Sequence, residues 1–117
     1  NGGVSLTGQR VLDSAWVDDI FAGGTDSAEA FAAGDHAEDM PGGMYRSQFW
    51  VPSGDRDAAF CLGIHGQTIY INRASGVVGV KLSSTALPVD PFEGPAAEAM
   101  FGAINEHLLA TSATTGN

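Results

Sequence analysis

The residues of this chain best placed to do chemistry sit around one glycine-bracketed turn, Cys61-Leu62-Gly63-Ile64-His65-Gly66-Gln67. An apolar run precedes it, and Thr68-Ile69-Tyr70-Ile71-Asn72 follows. Such an elbow puts a histidine, able to exchange protons near neutral pH, beside backbone left bare by glycine. An enzyme can use a strand edge of this kind to aim hydrogen-bond donors at a substrate. Two readings of His65 stand: it lines a substrate site, or it makes a local turn hydrogen bond. Cys61 reads as a buried, inert thiol, because no cationic neighbour in sequence would lower its pKa. A Cys61–His65 nucleophile pair would require contact across the elbow, which an i, i+4 spacing does not assure.

The remaining candidates are weaker. Asp35-His36-Ala37-Glu38-Asp39 gathers oxygen and imidazole ligands but lacks the spacing of a zinc or calcium motif, so it reads as a solvated loop. His107 reads as a boundary residue on a helix. Tyr45-Arg46-Ser47 has a Tyr-x-Ser spacing, and Tyr45 and Trp50 are either sheet aromatics or the lining of a cleft for a linear apolar chain. Lys81 is the only lysine and Val78 stands three residues before it, so the chain holds no Ser-x-x-Lys. Gly2-Gly3 and Gly23-Gly24 lack the strand-to-helix setting of a phosphate loop. Neither a metal nor an organic cofactor is expected.

The elements that must position these residues are legible in outline. Leu12, Trp16, Val17, Ile20 and Phe21 share one helical face, with Asp13 or Ser14 as the cap and Gly23-Gly24 as the stop. Asp26 to Ala33 reads as a second short helix ended by Gly34, and residues 34–43 as an exposed loop. Ser47 to Val51 reads as a strand, and Ala58 to Ser84 as a three-stranded meander. Gly94 to Ala110 reads as a helix with Pro95 in its first turn. There Ala97, Met100, Phe101, Ile104 and Leu108 should face the sheet. The segment 111–117 reads as a flexible tail.

The expected fold is therefore α+β: an antiparallel β-meander of about four strands flanked by helices. The strands around Tyr70 and Val78 are apolar on both sides, so the sheet needs a second cover. The chain either forms a homo-oligomer or is one end of a larger domain.

Composition bounds the partners. With 44% hydrophobic and 16% charged residues among 117, the chain is of the folded globular class. Fourteen acids against five bases give a net charge of −9, a sign that repels nucleic-acid phosphates and anionic lipid. The acidic surface reads as a solvated face, or as favouring a substrate with an amine end. No apolar run approaches the roughly 20 residues that span a bilayer. The single cysteine excludes an internal disulfide.

The order of Asn-Gly-Gly, Gly-Gln-Arg-Val-Leu and Trp-Val, then Phe49-Trp50-Val51, then Leu62-Gly63-Ile64-His65-Gly66-Gln67 with Ile69-Tyr70-Ile71, then a valine strand and a helix, forms a pattern. It resembles the C-terminal part of the β-lactamase-related serine hydrolases, nearest to the 6-aminohexanoate-dimer (nylon-oligomer) hydrolases. The resemblance covers residues 1–110 as the C-terminal portion of one β-lactamase/penicillin-binding transpeptidase-like α/β domain. It implies a serine on a Ser-x-x-Lys helix that attacks an amide or ester carbonyl, with lysine and a tyrosine managing the proton. It also implies that the Ile64 backbone N–H is the second oxyanion donor, with Gly63 allowing close approach of the small-molecule substrate. Where such hydrolases carry Lys-Thr-Gly, the best register here places Cys61-Leu62-Gly63, which argues against β-lactamase activity. Another register would treat His65-x-Gln67 or His65-Gly66 as the polar equivalent, moving the donor by one or two residues.

Two functions follow from this reading. In one, the chain is the C-terminal part of a hydrolase for small linear amides or esters, inactive alone because serine, lysine and tyrosine lie in an absent N-terminal portion. In the other, it is a non-catalytic structural or interaction domain of the same fold.

Overall fold

The computed structural model describes residues 2–115. The chain is α+β, with helices α1 (Ser14–Ala22), α2 (Ser27–Ala32) and α3 (Glu93–Thr115). Its strands are β1 (Met44–Arg46), β2 (Phe49–Val51), β3 (Ala58–Gly63), β4 (Gln67–Asn72) and β5 (Val77–Lys81). The five strands are ordered in the sheet as in the chain, β1 to β5, and the β1–β2 and β4–β5 pairs are antiparallel. Two compact units meet in sequence between Ala59 and Phe60.

In the first unit, α1 begins where the sequence places its cap. The Asp13 carboxylate accepts the Ala15 N–H at 2.8 Å, satisfying one of the amides a helix start leaves unpaired. Gly23 ends the helix at φ 70°, and its N–H donates to the Asp19 carbonyl. Of the expected apolar face, Ile20 and Phe21 are buried, while Leu12 and Trp16 stay exposed. Before α2, the Ser27 hydroxyl accepts the Gly24 N–H at 2.8 Å.

The strand expected over Ser47–Val51 is instead a hairpin. Ser47 and Gln48 form its two-residue turn, and both have positive φ, 50° and 69°. A type I′ reversal, one of the two matched to strand twist, requires left-handed backbone at both positions, which sequences usually signal with Asn-Gly. Ser-Gln carries no such signal, so β1 was not visible as a strand and the sheet has five strands instead of about four. Tyr45↔Trp50 and Met44↔Val51 are paired in register, and the second of these pairs is buried on the core side.

Arg46 ties this hairpin to α1. Its Nε and Nη2 donate to the two carboxylate oxygens of Asp19, each at 2.7 Å. The Arg46 hydrogen bonds hold the Asp19 carboxyl below its ordinary value, and the guanidinium charge adds to the effect. Both side chains are partly solvated, so salt weakens the pair.

In the second unit, α3 lies on β4 and β5. Tyr70 is stacked on Phe101 with centroids 4.9 Å apart and planes 9° from parallel. Phe60 tilts against Tyr70 at 5.0 Å. The cross-strand partner of Tyr70 is Gly79, and the space a side chain would take there is filled by the Phe101 ring. This slot fixes the rotation of the helix. Ala97, Phe101 and Asn105 are buried, whereas Met100, Ile104 and Leu108, expected on the sheet side, are exposed. The apolar stripe of α3 is thus wider than its contact, and the glycine slot selects which edge goes in. The helix runs to Thr115, past the expected end at Ala110; residues 116–117 of the expected tail lie outside the described residues.

The opposite face of the β4–β5 hairpin carries the pairs Ile69↔Val80 and Ile71↔Val78, with Val78 69% and Val80 63% exposed. Asn72, 1% exposed, accepts the Ser75 N–H at 3.1 Å and organises the turn between the two strands. Among the described residues, no helix is long and apolar enough to cross a membrane.

Two measurements check this account. A methyl at Gly79 would collide with the stacked Phe101 ring, so Gly79→Ala is expected to lower unfolding stability by about 1–3 kcal/mol. Denaturant midpoints read this directly, and an unchanged midpoint would refute the slot. The Asp19 carboxyl titrates lower when folded than when unfolded. Its contribution is therefore present above the unfolded carboxylate range, near pH 4, and is lost as pH falls through the folded value. The Tm gap between the native chain and Asp19→Asn should hold at neutral pH and narrow below about pH 4. A gap that widens in acid would contradict the clamp.

Candidate active-site elbow

The elbow begins where β3 runs out. Gly63 is extended, at φ −116° and ψ 161°, and Ile64 to Gly66 form a single tight turn. His65 lies in the left-handed region at φ 58° and ψ 28°, followed by Gly66 at φ 78°. Histidine visits this region more readily than most residues, yet at a cost that surrounding contacts must offset. Gly66 is required on two counts. Its φ is left-handed, and a Cβ there would press on Ser83 Oγ, Glu93 Oε2 and Lys81 Nζ at 3.1–3.2 Å.

The contacts come from the connection between β5 and α3. The His65 N–H donates to the Pro88 carbonyl at 2.8 Å, and the Thr85 N–H donates to the His65 carbonyl at 3.4 Å. The His65 Nδ1 lies 2.8 Å from the Thr85 carbonyl. A carbonyl only accepts, so Nδ1 carries the proton. The Gln67 amide nitrogen donates to the Ser83 carbonyl, while its oxygen accepts the Ser83 N–H at 3.3 Å. Lys81 completes the frame, donating to the Gly66 carbonyl at 3.1 Å and pairing with Glu93 at 2.6 Å.

Each residue singled out in the sequence now has a place. Gly63, Ile64 and His65 are consecutive on the elbow. Gly63 is exposed, Ile64 is 65% exposed, and His65 is half-buried against the connection. Cys61 is half-buried on β3, and burial pushes its thiol up, away from the reactive thiolate. Nδ1 of His65 is directed at Thr85, not toward a thiol.

Tyr45 and Trp50 belong to the first unit and come together there. They are cross-strand partners with ring centroids 4.9 Å apart. Phe31 and His36 meet Trp50 edge-on at 5.9 and 5.2 Å, and His36 Nδ1 lies 2.8 Å from an Asp39 carboxylate oxygen. Trp50 is the hub of an aromatic cluster, a role the sequence did not reveal. Tyr45-Arg46-Ser47 spreads over a strand and a turn, with Arg46 committed to Asp19.

Missed altogether in the sequence were Ser83, Thr85 and Pro88, the residues that grip the elbow through their backbone. Backbone acceptors have no residue-type signature, and only Gln67 beside the elbow hinted that a partner was needed.

No family model matches this chain. Over 84 residues, 72% of the chain, it is 37% identical to a 6-aminohexanoate-dimer hydrolase of Paenarthrobacter ureafaciens. The match spans 21% of that protein's length. The chain is thus related, distantly and over part of its length, to a hydrolase.

Proposed function

We propose that the chain is the C-terminal part of a serine hydrolase acting on small linear amides or esters. In this reading the Ile64 N–H is one of two backbone donors to the oxyanion that forms when a serine attacks the substrate carbonyl. Gly63 leaves room for the substrate beside that donor. Serine, lysine and tyrosine come from a portion upstream of this chain, where the serine attacks and the lysine and tyrosine manage its proton.

One observation carries the reading: the two residues at the tip of the elbow are engaged differently. The His65 N–H is committed to the Pro88 carbonyl, whereas Ile64 is 65% exposed at the end of β3, beside exposed Gly63. That favours Ile64 over a register centred on His65. The partial likeness to a hydrolase supports the reaction class, and the donor needs only the backbone, so an apolar side chain at this position is no obstacle.

The upstream portion is also the partner we propose for the open β4–β5 face of Ile69, Ile71, Val78 and Val80. The matched relative has about four-fifths of its length outside the match, ample to cover such a patch. Alone, the 117-residue chain should self-associate with rising concentration, and the upstream portion added in trans should suppress this. Light scattering that shows a stable monomer at all concentrations would count against an uncovered face.

In the longer protein, a fluorophosphonate should label one serine upstream of this chain. Gly63 already has the extended conformation that a residue before proline prefers. Ile64→Pro therefore removes the donor with little local conflict and should cost on the order of 10²–10³ in turnover. Unchanged turnover in a folded variant would refute the donor. Absence of any labelled serine would favour the non-catalytic domain.

A further inference from the structure

Both polar side chains of the elbow point away from its outer edge and into the β5–α3 connection. His65 is held through three contacts: its N–H on Pro88, its carbonyl on Thr85 N–H, and its Nδ1 on the Thr85 carbonyl. Gln67 mimics a backbone amide, giving its nitrogen to the Ser83 carbonyl and its oxygen to the Ser83 N–H. The contacts bridge 16 to 23 residues of chain, so they are tertiary contacts and not products of the turn itself. Lys81 and Glu93 pair across the two ends of the same connection, and Lys81 donates to the Gly66 carbonyl as well.

A backbone donor can be aimed only by fixing the peptide planes on either side of it. Ile64 sits between Gly63, which has no side chain to hold it, and His65, whose left-handed backbone is unfavourable unless held. From this geometry we infer that His65 and Gln67 are positioning residues. They clasp the connection 83–88 and, through the backbone, hold the orientation of the Ile64 N–H. Neither touches the reacting atoms. The inference rests on the reading of that N–H as the oxyanion donor.

The side-chain chemistry supplies a discriminating series. Asparagine tolerates the left-handed region and places its amide nitrogen where histidine has Nδ1. Glycine tolerates the same backbone and has no donor. His65→Asn should therefore retain the clasp and His65→Gly lose it, with backbone strain absent from both. Gln67→Met keeps length and removes both hydrogen bonds, which provides a second route to the same loss.

In the 117-residue chain, amide hydrogen exchange read by NMR should show His65 and Thr85 N–H protection falling on the order of tenfold in His65→Gly and Gln67→Met. Protection should stay near native in His65→Asn. Native protection in both clasp-breaking variants would overturn the inference. In the longer hydrolase, the same two variants should lower kcat about tenfold or more with KM little changed, because a misaimed donor weakens the transition state and not substrate binding. His65→Asn should restore kcat relative to His65→Gly. Lost protection with unchanged kcat would uphold the clasp and refute Ile64 as the donor, separating failure of the positioning claim from failure of the reading beneath it. A fall in KM-dependent binding alone would overturn positioning and place His65 against the substrate.

Discussion

A β-strand that doubles back within three residues must turn its backbone through left-handed space, and the chain meets that demand at His65 and Gly66. Glycine meets it freely; a histidine does so only where something holds it. What holds it is the connection from β5 to α3, stitched on by His65 and Gln67 and pinned at its ends by Lys81 and Glu93. The demand of one tight reversal thereby links β3, β4, β5 and the start of α3. The second unit has a polar rim around the elbow and a stacked aromatic centre at Tyr70 and Phe101. Hydrogen bonds set direction at the first, and close packing sets helix rotation at the second.

The legible parts of the fold were those whose signals are local. Asp13 and Gly23 mark the ends of α1 because a cap and a left-handed stop each need a particular residue type. The elbow was legible for the same reason: glycines on either side of a polar residue between apolar runs announce a reversal. The Ser47-Gln48 turn was not, because residues without the usual turn preference occupy left-handed backbone there. The face of α3 was half legible. Spacing gave the apolar stripe, but the contact edge depends on Gly79, which is 22 residues before Phe101 in sequence and meets it only after folding.

The candidate site divides along the same line. Gly63, Ile64 and His65 could be picked out because their types and order are unusual. The partners of His65 could not, since Thr85 and Pro88 act through carbonyl oxygens that every residue possesses. Trp50 was visible as an aromatic but not as the centre of a cluster, because the β1 strand that brings Tyr45 opposite it was hidden by its turn.

Lys81 gives the frame a chemical handle. As the only lysine, it is the only side-chain amine in the chain, and it is partly open to solvent. Acylating that one nitrogen would remove the charge that faces Glu93 and leave a single N–H where three served Glu93 and Gly66. A single covalent event would thus act at once on the end of β5, the first turn of α3 and the elbow. Among side chains, an amine-selective reagent therefore addresses the whole frame at one atom, and the extent of acylation at Lys81 reports how tightly the frame is closed.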